Sequence, residues 1–410
     1  MRSKLQNGES PNAIVIGLDS LNGIQAARIL ARHRIPILAI AKDPNHYGCW
    51  TRVCESILFA DTGSEEFIRL LQETGPSLKQ KAVLFPCTDM TVLLLSRNRH
   101  RLETWYHVVL PAPDVVETLM NKVSFYTYAQ EKEFPIPVTR FVRSREDAER
   151  AARDLRFPCV LKPPNSAIPA WEQNSKLKAY KVATPAELLN LYERSRVWTR
   201  DLIVQEWVVG PDDNLYSCNC YLDDQSSPLV TFVARKLRQW PPVTGESSLG
   251  EECRNDVVLE ETVRLFQSVG LYGLGYVEMK QDERSGEYFI LEPNIGRPTG
   301  RSAIAEAGGV ELLYTMYCDA VGMPLPENLQ QKYEGVKWIA LRRDVQSALY
   351  HWREGDLTAK DWWRSVRGPK AYALFSWSDP GPFVGDLVRG FRLYLQPEER
   401  RKRNYREPWA

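Results

Sequence analysis

Residues Gly275–Ser302, reading GYVEMKQDERSGEYFILEPNIGRPTGRS, decide how the chain is understood. Two apolar runs, Tyr276-Val277 ahead of Glu278 and Phe289-Ile290-Leu291 ahead of Glu292, flank a polar, glycine-bearing segment. That pattern reads as an antiparallel hairpin. Residues i and i+2 of a strand face the same side, so Glu292 and Asn294 converge, and the partner strand brings Glu278 beside them. Two carboxylates and an amide oxygen form a hard, oxygen-only donor set, the kind Mg²⁺ takes together with water and substrate phosphates. Exposed hairpin charges are the other reading of the glutamates; the apolar flanks put these strands in a core instead. Downstream, Gly296, Arg297, Thr299, Gly300, Arg301 and Ser302 lead into a short helix. Two arginines at a glycine-bearing helix start suit an oxyanion, where isolated they would pass for surface cations.

Upstream, short apolar runs alternate with helical patterns. Ala13–Ile16, Ile37–Ala41, Ser56–Ala60, Ala82–Phe85 and His107–Leu110 read as strands, with helices between them. Alternation of this kind predicts an α/β domain with a doubly wound parallel sheet over residues 12–120. The first strand–helix loop, Gly17-Leu18-Asp19-Ser20-Leu21-Asn22-Gly23, has only the ends of a G-x-G-x-x-G fingerprint, so a turn is favoured over a nicotinamide or flavin site. Cys87, Thr88 and Asp89 lie at another strand end, where such sheets bind small molecules. Near Asn121 the texture becomes α+β, with hairpins Tyr216–Leu222/Leu229–Lys236 and Gly273–Lys280/Tyr288–Leu291.

Composition narrows the class. Of 410 residues 43% are apolar and 26% charged, and 53 basic against 52 acidic residues leave a net charge of +1. Bulk nucleic-acid binding would want a basic footprint that is missing here. A membrane span needs about 18 consecutive apolar residues, and the longest runs, such as Pro36–Ala41, are far shorter, so stable membrane insertion is not expected. The N-terminus lacks an apolar signal region and the eight cysteines lack paired zinc spacing, which fits reduced thiols and a cytoplasmic enzyme. Half of the twelve tryptophans lie after Leu325, ahead of a charged segment, PEERRKRNYREPWA, that reads as a solvated tail or as a membrane-surface or partner-binding element.

Taken together, residues 12–325 resemble the ATP-grasp superfamily, especially its carboxylate–amine and carboxylate–thiol ligases, amino-acid ligases among them. The resemblance implies the 12–120 domain, an α+β subdomain A over 121–208, a subdomain B with the metal site over 209–325, and a short Trp-rich C-terminal extension over 326–410. It implies ATP and Mg²⁺, with Glu292 bridging two metal ions, Glu278 on one and Asn294 on the other. Gln205-Glu206-Trp207-Val208-Val209-Gly210-Pro211-Asp212 looks like the family's adenine hinge. By that match Gln205 accepts the adenine amine, Trp207 and Val208 offer backbone contacts, and Asp212 holds the ribose, with Asp213 a near competitor. Lys122 and Lys162 correspond to phosphate-binding lysines, and Lys236 is a third candidate. Residues 163–180 carry no glycine where the family has a glycine-rich flap, which leaves Ser166, Ser175, Lys176 and Lys178 for that work. Arg297 comes three residues after Asn294 instead of the usual two.

The implied chemistry is activation of a carboxylate as an acyl phosphate and its transfer to an amine, with Arg297 at the reacting carbonyl and Arg301 on the substrate carboxylate. Small-molecule acid and amine substrates follow, and a homodimer is one assembly the chain allows. Three rivals stand beside this reading: a kinase on the same scaffold, a regulatory protein retaining the nucleotide clasp, and a Rossmann-type oxidoreductase.

Overall fold

The structure is a computed structural model describing residues 10–164, 168–175, 177, 179–242 and 245–395. Five parallel strands, β1 (Ala13–Ile16), β2 (Ile37–Ala41), β3 (Ser56–Phe59), β4 (Ala82–Pro86) and β5 (Tyr106–His107), form the first sheet in the order β3-β2-β1-β4-β5. This is the expected doubly wound sheet. Its central strands are apolar throughout because both faces are covered: Ile14 and Ile16 enter one core, Ala13 and Val15 the other. Side-chain caps start the covering helices, Ser20 accepting from the Gly23 N–H and Ser64 from the Glu66 N–H. The strand order reverses between β1 and β4, so their C-terminal loops, at Gly17 and Cys87, open one crevice.

A second sheet holds β6 (Thr139–Val142), β7 (Cys159–Lys162), β8 (Tyr180–Val182) and β9 (Leu202–Glu206) in the antiparallel order β6-β9-β7-β8. Helices Arg145–Asp154 and Pro185–Ser195 cover one face, where Cys159, Leu161, Leu202 and Val204 share a separate core with Ala148, Ala151 and Leu188. The alternate residues Val160, Lys162 and Gln205 line a cleft on the opposite face.

The largest sheet comprises β10 (Leu215–Leu222), β11 (Pro228–Trp240), β12 (Glu246–Glu252), β13 (Gly273–Gln281), β14 (Tyr288–Ile295), β15 (Lys337–Ile339) and β16 (Lys370–Tyr372), ordered β14-β13-β10-β11-β12-β15-β16. Its cores are continuous with those of the first sheet, so these two pack as one body and the four-stranded lobe faces them across the cleft. Residues beyond 325 extend this sheet: β15 pairs with β12, and Trp338 is buried in the core. Helix Leu341–Glu354 is clamped to β11 by Arg238, whose Nε and Nη2 each lie 2.9 Å from the fully buried Asp344. Among the described residues no helix is long and apolar enough to cross a membrane.

Candidate active site

The hairpin read from the sequence is β13–β14, and its register sets Glu278 directly opposite Glu292 and Tyr276 opposite Asn294. Directly opposed residues keep their Cβ atoms about 5 Å apart. A bulge breaks the register between Glu278 and Met279 and leaves Leu291 as the extra residue of β14. Bulges re-aim side chains, and here the consecutive Leu291 and Glu292 both line the cleft. One strand thereby supplies an apolar surface and a carboxylate to the same cavity, of about 250 Å³.

Cations surround the carboxylates. Lys122 opens helix Lys122–Glu131 behind the cap Asn121, and its Nζ lies 3.8 Å from Glu292 Oε2. Lys162 donates to Gln205 Oε1 and to the Tyr126 hydroxyl, each at 3.0 Å. Lys236 stands across β10 from Lys280, both paired with Leu215. Its ammonium, buried and bonded to Gln239 Oε1 at 2.9 Å, is held below its ordinary pKa by burial, against the pull of Glu278.

The loop after β14 turns at Gly296, whose φ of +69° and whose contact with Leu110 leave no room for a side chain. Arg297 there bonds Asp89, the Tyr276 hydroxyl (2.9 Å) and Asn294 Oδ1 (2.7 Å). Asn294 therefore presents its oxygen to Arg297, and its Nδ2 is buried without a partner. Arg301 runs back over the sheet, Nη2 at 2.9 Å from Ser217 Oγ and 3.9 Å from Glu278 Oε1. A Cβ at position 250 would stand 3.3 Å from both Arg301 Cδ and Arg235 O, a tight fit that glycine in β12 relieves. Burial pulls the Arg301 pKa down, and its Nη1 is buried with no hydrogen-bond partner. An unsatisfied buried guanidinium donor of this kind suits an incoming anionic oxygen.

Toward the hinge, the expected nucleotide-binding groups are engaged within the protein. The Gln205 side chain accepts from Lys162 through Oε1 (3.0 Å) and donates through Nε2 to Thr139 Oγ1 (2.8 Å). The Trp207 N–H donates to Pro158 O and the Val209 N–H to Asp282 Oδ2, both within the protein, while Val208 lines the cleft. Asp212 lines the cleft, with Oδ1 on Gln239 Nε2 at 2.7 Å and Oδ2 buried without a partner; burial raises its pKa despite Lys236. Asp213 lines only the outer cavity, of about 600 Å³. Between residues 163 and 180, the Ser175 hydroxyl bonds Leu177 O (2.6 Å) and the Tyr180 hydroxyl (2.9 Å), and Ser166, Lys176 and Lys178 lie outside the described residues.

Three residues were missed. Lys280 donates to Gly210 O at 2.7 Å and lines both cavities; it lies two residues beyond Glu278 on the same strand, which was the available signal. Tyr126 and Gln239 brace the two lysines, and only tertiary pairing reveals them. The crevice of the parallel sheet is bridged to the loop after β14, Asn22 Nδ2 reaching Cys87 O (3.2 Å) and Pro298 O (3.0 Å), so the first glycine loop serves packing between the two units.

A doubly wound sheet joined to two facing sheets that enclose lysines and paired glutamates agrees with the ATP-grasp resemblance, and the relatives and structural neighbours to which the chain is similar are ATP-grasp proteins. The chain is similar to D-aspartate ligase of Enterococcus faecium, 27% identical over 58% of each chain. It is also similar to D-alanine–D-alanine ligase of Pseudomonas fluorescens, 23% identical over 45% of this chain and 55% of that one. It thus spans little more than half the length of these relatives. The biotin carboxylase domain of Hydrogenobacter thermophilus 2-oxoglutarate carboxylase, solved with MgADP, ADP and bicarbonate, shares the fold with a TM-score of 0.60 and 13% identity over 79% of this chain and 73% of that one. No family model matches the chain.

Proposed function

We propose that the chain is an ATP- and Mg²⁺-dependent carboxylate–amine ligase acting on an amino acid or related small molecule. The observation that carries this reading is the convergence, in one cleft, of Glu278 opposite Glu292 with Lys162 and Lys236 around them. The donor chemistry fits Mg²⁺: two carboxylates stand on adjacent strands, and Asn294 joins them once its oxygen leaves Arg297. Bound there, the metal would neutralise phosphate charge as the γ-phosphoryl group is transferred. Leu291 and the Val208 peptide receive adenine, and Asp212, whose Oδ2 lacks a partner, receives the ribose.

The chain's own residues then act by placement and charge. Lys162, held by Gln205 and Tyr126, and Lys122 and Lys236 fix the phosphates. A substrate carboxylate oxygen attacks the γ-phosphorus, ADP leaves, and an acyl phosphate results. The amine attacks the acyl carbon, phosphate departs with the oxygen that bridged it, and the amine loses a proton. Arg301 Nη1 steadies the acid, and Arg297 faces the charge that develops on the acyl oxygen. Similarity to amino-acid ligases favours an amino acid on one side of the reaction.

The test supplies MgATP with pooled carboxylic acids crossed with pooled amines, and with hydroxylamine in a parallel set. ADP and free phosphate that depend on one acid pool, with a hydroxamate formed, support the ligase. ADP with a phosphorylated product and no free phosphate identifies a kinase instead.

A further inference from the structure

The region beyond residue 325 reaches the nucleotide cleft from its outer side. Helix Leu341–Glu354 is fixed at Asp344, whose Oδ2 accepts from Arg238 of β11 and from Trp362 Nε1, each at 2.9 Å. Residues seven apart share a helix face, so the face that docks Asp344 also carries His351, which lines the outer cavity of about 600 Å³. The helix closes at Gly355, whose φ of +83° turns the chain back. That turn sends the Asp356 N–H to His351 O at 2.9 Å and sets Asp356 Oδ2 3.5 Å from His351 Nδ1. A carboxylate beside Nδ1 favours the imidazole protonated there, which leaves Nε2 as an acceptor.

The outer cavity and the cleft share a wall, because Trp207, Asp212 and Lys280 line both. In that wall Lys280 is committed to Gly210 O at 2.7 Å and Asp212 Oδ1 to Gln239 Nε2 at 2.7 Å, whereas Asp212 Oδ2 is buried without a partner. Burial raises the Asp212 pKa, and Lys236 and then His351 draw it back, so the imidazole stands within electrostatic reach of this carboxylate. A ribose presents two vicinal hydroxyls. Asp212 has one unengaged oxygen to offer them, and a neutral imidazole acceptor matches the second hydroxyl without adding another buried charge.

We propose that His351, carried by the C-terminal region, is a ribose-binding residue of the nucleotide site, its imidazole accepting from one ribose hydroxyl while Asp212 accepts from the other. The proposal rests on the reading of the cleft as an ATP site. It gives helix Leu341–Glu354 and the turn after it a function, as the outer wall of that site.

The experiment is calorimetric titration of the full chain, without acid or amine, with Mg²⁺ and ATP, 2′-deoxy-ATP or 3′-deoxy-ATP. Wild type binds ATP more tightly than either analogue, by about fivefold for each hydrogen bond lost. His351→Ala weakens ATP by about fivefold and leaves one analogue unchanged, because the hydroxyl held by the imidazole is already missing there. Asp212→Ala also weakens ATP and leaves the other analogue unchanged. Equal weakening of all three nucleotides by His351→Ala assigns the residue to packing alone and overturns the proposal. ATP binding that Asp212→Ala weakens and His351→Ala does not also overturns it, while leaving the ATP site standing. No binding of MgATP to wild type refutes the ATP site itself, and the proposal falls with it.

Discussion

Glu278 and Glu292 face each other across one strand pair, yet replacing each by Gln should have very unequal consequences for the empty protein. Each has a cation at nearly the same distance, Arg301 at 3.9 Å from Glu278 and Lys122 at 3.8 Å from Glu292. The surroundings differ. The Arg301 side chain is 4% exposed and Glu278 also offsets the buried Lys236, whereas Lys122 and Glu292 are 31% and 44% exposed. Two charges 4 Å apart attract by about 4 kcal/mol at an effective dielectric of about 20, and stranding a buried partner costs about 3–5 kcal/mol. An exposed pair contributes at most about 1 kcal/mol. Glu278→Gln should therefore lower the urea-unfolding free energy, measured without nucleotide, by about 3 kcal/mol or more. Glu292→Gln should lower it by less than about 1 kcal/mol. Both variants should lose the stabilisation that wild type gains with MgATP, about 2.7 kcal/mol at a hundredfold excess over Kd. Equal losses in the empty protein would refute the claim that Glu278 neutralises buried Arg301 and Lys236.

Further outcomes follow from the same geometry. Lys162→Ala should raise the KM for ATP by at least about tenfold while leaving that for the amine unchanged, since the lost contact is to phosphate; a wild-type KM for ATP would remove Lys162 from the phosphate site. Gly250→Val puts a side chain against Arg301 Cδ, and displacement by about 1 Å should cut kcat about a hundredfold, with a stability loss of about 1–3 kcal/mol; steady-state rates and urea curves separate the two. Burial pushes the Glu306 carboxyl up to about 8 from 4.5, and its Oε2 has no partner. Because the folded value is the higher one, this group favours folding below pH 4.5 and loses that contribution as pH rises toward 8, at up to about 1.4 kcal/mol per unit. Glu306→Gln should flatten that slope in chemical unfolding measured across pH 5–8.5.

The parallel sheet was legible because its strands are apolar throughout and a helix opens on Ser64, local signals that need no tertiary context; the caps Ser20 and Thr88 start their helices at Leu21 and Asp89, ahead of the apolar periodicity that marks Gln25 and Thr91. The hairpin bearing Glu278 and Glu292 was legible through strand alternation. Strand β12, ESSLGEE, was not: its partners impose extended structure on residues with little apolar pattern. Helix Leu341–Glu354 escaped notice because its buried face is polar, which reverses the usual cue, whereas Phe383–Leu395 carries its apolar residues near helical spacing and lies in helix Gly381–Leu395. The bulge at Leu291 and the commitment of Gln205 to Lys162 depend on register and on side-chain geometry, neither of which is written in residue spacing.

The route through an acyl phosphate is tested most directly by isotope transfer. The acid selected in the pooled assay is labelled with ¹⁸O in its carboxylate, and the phosphate released in the presence of MgATP and amine is examined by mass spectrometry. One ¹⁸O atom per phosphate is predicted, because the attacking oxygen leaves with phosphorus. Unlabelled phosphate, or label in AMP, would contradict the account.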